Sequence, residues 1–369
     1  MKSWDVIIIG GGLAGSAAAI ELAREGKKVL LLEKEAQAHH KVCGEFISCE
    51  AEYYLAALGL DLKKLGAEEI KFIRLIRGNK STEARLPFLA FSISRFALDE
   101  NLLQLAIVSG VEVRRSANVT ALIHLEKVWN VKWSNDNSAS ANSIFLASGK
   151  HNLKGWSRKQ GLQNDMIGFK MHFKLNPLQG KKFFQYVEII LFDGGYAGLE
   201  PVEGGLVNLC LVVKKSRFSE CKKDWATLLK YIAESSPYFA EFMKGSTASW
   251  QQPLAIFGIP YGFIHQDILD EPEGLYRLGD QMAVIPSFCG DGMAIALRTS
   301  HAAVKNYLQN NSQSYYQEIR AELNSQIKRA SRIAQLISPP INQKIIHLIC
   351  RCFPKLLSVI ASRTRLKFW

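Results

Sequence analysis

The sequence predicts an α/β protein: a Rossmann-like nucleotide-binding domain with an inserted, mainly antiparallel β-sheet domain and a helical C-terminus. Three observations carry this. A buried-type apolar strand at the N-terminus runs into a glycine-rich turn and a helix. A second glycine-rich turn of the same physical kind lies far downstream, ahead of another helix. Between them sits a stretch whose apolar residues alternate or cluster at strand spacing.

The first strand reads Val6-Ile7-Ile8-Ile9, a continuous apolar run suited to a parallel strand covered on both faces. Gly10 to Gly15 form the turn, residues 16–24 read as a helix closed by Gly26, and residues 28–33 read as the second strand. Residues 95–109 carry apolar side chains at helical spacing, and short strands follow at 111–115, 119–123, 128–133 and 143–147. From about Met166 to Pro260 the pattern becomes strand-rich with glycine turns. Residues 275–278 then read as one more strand of the first domain, before a helix from about Met293 to Leu308. The expected organisation is a discontinuous nucleotide domain (1–165 and 261–308), a sheet domain for the substrate (166–260) and a basic helical C-terminal region (309–369).

Gly10, Gly12 and Gly15 fill a GxGxxG frame between strand and helix. The first glycine permits the tight turn, the second lets a pyrophosphate approach the backbone, and the third allows close helix–strand packing. The phosphates are then expected on the helix N-terminus, at Leu13 and Ala14, where N–H groups and the helix dipole favour an anion. Glu33 ends the second strand at the position where a carboxylate can accept from ribose hydroxyls; its neighbour Lys34 joins the candidate set. This frame alone does not separate a flavin from a nicotinamide dinucleotide. The distant site does: Gly279-Asp280 at a strand end can bind ribityl hydroxyls. Pro286, Gly290, Gly292, Met293 and Ala294 then leave backbone N–H groups at a helix start for pyrimidine or phosphate oxygens. FAD is therefore the expected cofactor, and an NAD-only dehydrogenase is disfavoured.

With Arg95 opening the segment between them, these motifs resemble the flavoprotein superfamily of para-hydroxybenzoate hydroxylase and geranylgeranyl reductase. Lys41-Val42-Cys43-Gly44 and the run from Gly195 to Pro201 followed by 207–211 resemble the geranylgeranyl reductase branch. The resemblance covers most of residues 1–308 and implies FAD, with Lys41, Cys43, Gly44, Arg95, Val119 and Gly149 added to the cofactor set. It also makes Cys43 the candidate catalytic residue, by donating a proton or shaping the cavity, the alternative being a small, inert apolar filler. One departure stands out. The hydroxylases carry Asp-Gly ahead of a Ser and an Arg, where this chain has Ser148-Gly149. A nicotinamide-gated flavin movement is accordingly not carried over, and the donor stays open between NADPH or NADH and a reductase or ferredoxin partner.

Phe169, Phe173, Tyr186, Tyr196, Leu209 and Phe257 are the expected walls of a cavity for a small hydrophobic substrate. A monooxygenase acting on a phenolic or polyketide-like compound fits this pattern, and so does a reductase of carbon–carbon double bonds in an isoprenoid or related lipid. His39-His40 could form an acid–base pair but read as a polar loop, and His151 and His172 read as structural. No triad or metal constellation is evident, so redox chemistry falls to the flavin. A flavin-binding protein without catalysis is the remaining alternative, supported by Ser148 alone.

The 369 residues carry a formal net charge of +12, and no Asp or Glu occurs from Lys328 to Trp369. Ile341, Ile345, Leu348 and Ile349 share a helical face there, and Arg363, Arg365, Lys367, Phe368 and Trp369 follow. Such a pattern suits an interfacial helix on an anionic membrane, the alternative being a helical cap on the FAD domain. Nucleic acid is not expected, since no recognition motif accompanies the charge. Seven scattered cysteines without CxxC point to reduced thiols, and neither a signal peptide nor a membrane span is seen. The expected location is the cytoplasm, with the inner membrane face as the candidate contact.

Overall fold

A computed structural model describes residues 3–176, 182–266, 271–363 and 365–366. In chain order, β1 (Ser3–Ile9), α1 (Leu13–Arg24) and β2 (Val29–Leu32) form the opening βαβ unit. They are followed by β3 (Phe46–Ile47), α2 (Cys49–Ala57), β4 (Glu68–Arg77), β5 (Lys80–Ser92), α3 (Arg95–Val108), β6 (Glu112–Arg114), β7 (Val119–Leu125), β8 (Val128–Trp133) and β9 (Asn137–Leu146). The inserted region holds β10 (Met166–Leu175), β11 (Tyr186–Phe192), β12 (Gly195–Val202) and β13 (Leu206–Lys214). Helices α4 (Lys215–Glu220), α5 (Trp225–Ser235) and α6 (Pro237–Lys244) follow, then β14 (Ser246–Ala248) and β15 (Leu254–Phe257). The chain closes with β16 (Phe263–Ile264), β17 (Leu275–Arg277), β18 (Ala283–Val284), α7 (Gly292–Leu308), α8 (Ser312–Ile337), α9 (Pro340–Cys352) and α10 (Lys355–Arg363).

The first sheet has the order β6-β2-β1-β9-β8-β7, with β17 also on β9. Its β6, β2, β1, β9 and β17 neighbours run parallel, and β7, β8 and β9 form an antiparallel meander. Val6, Ile7 and Ile8 are fully buried because helices cover one face of this sheet and the meander side covers the other. Val6 and Ile8 pack with α1 and α7, whereas Ile7 packs with Trp129 and Leu146.

The second sheet runs β14-β10-β13-β12-β11-β4-β5-β3. It therefore recruits residues 46–47, 68–77 and 80–92 from within the stretch assigned by sequence to the nucleotide domain. The joint is β4 against β11, a parallel pair with Leu75 opposite Ile189. Pairing between strands more than a hundred residues apart leaves no local trace in sequence. One face of this sheet buries Phe169, Phe173, Leu199, Leu209 and Leu211 against α4, α5 and α6. The other face looks toward the first sheet and the C-terminal helices.

Candidate flavin site and substrate cavity

The glycine loop is dictated sterically at two of its three motif positions. Gly10 adopts φ +108°, and a Cβ there would lie 2.4 Å from the Ala147 carbonyl oxygen. A Cβ on Gly15 would lie 1.9 Å from the Gly10 carbonyl oxygen. Gly12 differs: the nearest atoms to its absent Cβ are Lys41 Nζ at 3.2 Å and Arg95 Nη2 at 3.8 Å. Gly12 is also the N-cap of α1, with no side-chain cap and no acid in the first turn. Open N–H groups at Leu13 and Ala14, beneath two cations, suit a diphosphate.

Those cations share one anchor. Asp99 Oδ2 accepts from Lys41 Nζ at 2.8 Å, and both Asp99 oxygens accept from Arg95 at 2.8 Å. Burial pushes the Asp99 carboxyl up, but Arg95 and Lys41 outweigh it and hold the group at about 2. One carboxylate against two cations leaves a net positive charge over the glycine loop. Glu33, buried at the end of β2, accepts the Gly11 amide at 2.7 Å and the Glu35 amide at 2.9 Å. Ala117, two residues before Val119, donates to the Glu33 carbonyl at 2.9 Å, which brings Val119 to the same corner. Lys34 is exposed and pairs with Glu35 at 3.4 Å.

The second motif converges on the first. Gly279, at φ +56°, donates to Thr299 Oγ1 at 2.9 Å and lies against Ala14 and Ala296. Asp280 keeps its carboxylate half-buried while its carbonyl accepts from Arg158 at 2.8 Å. The Gly149 carbonyl accepts from Gln281 at 2.7 Å. Pro286 starts a short 3-10 turn ending at Gly290 in the left-handed region, where a Cβ would lie 2.8 Å from the Phe46 ring. Gly292 opens α7 with nothing within 4 Å of its absent Cβ, and Met293 and Ala294 are buried in the first turn. The backbone groove from Gly12 past Gly279 to Gly290 and Gly292, lined by N–H groups and cations, fits an extended dinucleotide such as FAD.

Residues 41–46 form the wall between this groove and the second sheet. The Val42, Cys43 and Gly44 carbonyls accept from Lys150 and Asn208 at 2.7, 3.2 and 3.0 Å. Cys43 is half-buried against the Arg95 guanidinium. Glu45 adopts φ +64°, a costly conformation for a non-glycine residue. Its fully buried carboxylate is held by Lys170 Nζ, by His172 Nε2 at 2.7 Å and by the Arg95 amide at 2.7 Å. Burial alone would raise its pKa, but these partners bring it below the ordinary range. His40 stacks on Phe96 and Trp250, and burial with the Lys170 charge lowers it to about 4. His40, Glu45 and His172 place ligand-type atoms within 4.8 Å of one another, yet both Glu45 oxygens are already taken by Lys170 and His172.

Beyond that wall lies a cavity of about 440 Å³, roofed by α8, α9 and α10. Gly44 and the 286–290 turn border its inner end with Tyr196, Gly198, Glu200 and Cys210; its body is lined by aliphatic groups such as Leu75, Ile189, Leu191, Ile346 and Leu357. Arg365 closes one side by donating to Asp291 at 2.5 Å, beside the 286–290 turn. Lys367, Phe368 and Trp369 lie outside the described residues.

Of the six residues expected to wall the cavity, only Tyr196 does so. Phe169, Phe173 and Leu209 face α4, α5 and α6 on the far side of the sheet. Tyr186 sits under Arg74, its hydroxyl on Glu83 at 2.8 Å, and Phe257 is exposed on β15. The cause is the two-residue period of a strand, by which a one-residue slip exchanges the faces. Cys210 and Val187, the direct neighbours of Leu209 and Tyr186, are the ones that line the cavity. Glu45, Lys170 and Glu200 were missed altogether. Glu200 was within reach, because Tyr196, Gly198 and Glu200 follow one another at i, i+2, i+4.

Residues 5–44 match the family model of an FAD binding domain. Squalene epoxidase 4 of Arabidopsis thaliana is 35% identical over 86 residues, which make up 23% of this chain and 16% of that protein. Menaquinone reductase of Mycobacterium tuberculosis (strain CDC 1551 / Oshkosh) is 23% identical over 82% of this chain and 76% of its own length. Among solved structures, the flavin-dependent brominase Bmp2 aligns with a TM-score of 0.81 at 19% identity, covering 98% of this chain and 93% of that one. A probable FAD-dependent monooxygenase, pqsL of Pseudomonas aeruginosa, aligns at 0.70 and 15%, covering 91% and 96%. The fold is that of these FAD-dependent enzymes, and the motif-based resemblance to the para-hydroxybenzoate hydroxylase superfamily holds at that level.

Proposed function

As an FAD-dependent oxidoreductase of this fold, the chain is, we propose, a monooxygenase that hydroxylates an elongated hydrophobic substrate carrying one polar, phenol-like end. The carrying observation is the cavity: aliphatic along its body, yet ending at Gly44, the 286–290 turn and the buried Glu200. An apolar chain gains by leaving water along the body, at about 25 cal/mol per Å² of buried surface. Glu200 is a partner for its polar end, because Glu200 Oε2 is buried without a hydrogen bond among the described residues. Burial, with the nearby Glu45 charge, pushes the Glu200 carboxyl well above its ordinary range. In its protonated form, which burial favours, this acid donates a hydrogen bond to a phenolic oxygen and so orients the ring.

Bound FAD supplies the electrons and, with dioxygen, the oxidising equivalents for hydroxylation. The protein's part is positioning and exclusion of water. Lys41 and Arg95 would hold the diphosphate, residues 41–46 keep their shape through Glu45, and α8 to α10 cover the cavity. The donor that reduces the flavin is a nicotinamide cofactor in this reading.

Glu200 also supports a second reading. A neutral carboxyl at the reacting end is equally a proton donor for reduction of a carbon–carbon double bond in a lipid. The readings separate when the flavin-loaded protein is reduced without oxygen and mixed with a long-chain alkylphenol or a polyprenyl enone. Reoxidation that waits for air, with a hydroxylated product, supports the monooxygenase; reoxidation by the enone in the absence of air replaces it with the reductase.

A further inference from the structure

Helix α9 is built inside out. Its polar and small residues Gln343, His347 and Cys350 are buried, while Ile341, Ile345 and Leu348 stand outward at 62%, 49% and 57% exposure. Phe353 continues this apolar side past the helix end at 69%, and Leu336, near the C-terminal end of α8, adds to it at 59%. A helix that merely caps a domain turns its aliphatic stripe inward. Here the stripe faces solvent, and its neighbours Lys344, Arg351, Lys355 and Arg363 are all exposed cations. No carboxylate side chain occurs from Lys328 to the end of the chain.

We propose that this face of α9, with the end of α8 and the start of α10, docks on an anionic lipid bilayer. Charge selects the occupant. Two copies of the chain would bring like charges together, whereas anionic headgroups neutralise the Lys and Arg while the aliphatic side chains enter the acyl boundary. Helices α9 and α10 meet at a bend of 115°, and among the described residues no single helix is long and apolar enough to cross a membrane. The bend breaks what would otherwise be one apolar span, and in this proposal the pair lies along the surface with its exposed cations at the headgroups. The same face carries the cavity mouth: Leu336 and Ile349 line the cavity and are also exposed. A lipophilic substrate then passes from bilayer to cavity without crossing water. That passage rests on the hydrophobic-substrate reading; the docking does not.

Flotation of the full-length, FAD-loaded protein with vesicles tests it. Vesicles of phosphatidylcholine alone are compared with a roughly three-to-one mixture with phosphatidylglycerol. The proposal expects binding to the anionic vesicles only, weakening as salt rises. Ile345→Asp/Leu348→Asp is expected to cut the bound fraction roughly tenfold or more, with flavin spectrum and melting temperature unchanged, since neither side chain is buried. Wild type that stays unbound on both vesicles overturns the proposal, as does a double variant that binds equally well. A salt-sensitive dimer, or a complex with an added acidic carrier protein, that the double variant abolishes while vesicle binding is absent also overturns it. Flotation needs no turnover, so its outcome and that of the redox assay are separable.

Discussion

Asp99 joins Lys41 to Arg95: a single buried carboxylate accepts from both at 2.8 Å and fixes the two cations over the glycine loop. Asp99→Asn keeps the shape but loses the charge that holds them. Apo stability is expected to fall by about 1–3 kcal/mol, and FAD binding to weaken, because Lys41 and Arg95 no longer stay in place. Denaturant unfolding of the apoprotein and fluorimetric FAD titration check the two effects separately.

The same carboxylate sets an acid limit. Its folded pKa lies near 2, below the usual 3.8, so its contribution is present above pH 4 and is lost as pH falls from about 4 to 2. That contribution amounts to about 2 kcal/mol. A stability–pH curve of wild type against Asp99→Asn is expected to converge over that window.

Gly12 and Gly15 are expected to part company on substitution by Ala. At Gly15 a Cβ meets the Gly10 carbonyl oxygen at 1.9 Å, so Gly15→Ala breaks the turn and yields little folded protein. At Gly12 only the flexible ends of Lys41 and Arg95 come within 4 Å. Gly12→Ala is expected to fold with near-normal melting, yet lose FAD affinity, because the methyl group occupies diphosphate space. Circular dichroism and flavin content distinguish the two.

Glu200→Gln is the sharpest chemical probe. The amide preserves a hydrogen-bond donor but has no proton to give. Since burial disfavours the charged form of the native carboxyl, the variant is expected to be at least as stable at neutral pH. The sign follows from the raised pKa: stability from this group is present at low pH and lost as pH rises. Product formation that survives within about tenfold supports the positioning role of the monooxygenase reading; a loss of roughly a hundredfold or more points to proton donation.

The nucleotide half of the molecule was legible because its signals are local. Gly10 and Gly15 make contacts that glycine alone tolerates, Gly279 takes a positive φ that favours glycine, and Val6 to Ile9 declare a strand buried on both faces. The cavity was not legible for the opposite reason. Which side of β13 faces the flavin depends on register with β10 and β12, so Leu209 and Cys210 cannot be told apart by hydrophobicity. Recruitment of β4 and β5 into the second sheet depends on pairing with β11, far along the chain. On helix α9 the sequence showed that Ile341, Ile345 and Leu348 share a face but left open whether that face packs inward; only the packing shows that it is the solvent side.

The most direct test of the account is a visible absorption titration. FAD is added to the purified protein, and a long-chain alkylphenol is then added to the complex. The account predicts stoichiometric flavin binding, followed by a saturable change in the flavin band that disappears in Gly198→Trp, where the cavity meets the flavin groove. A protein that takes up no FAD, or a flavin band that the alkylphenol leaves unchanged, would contradict it.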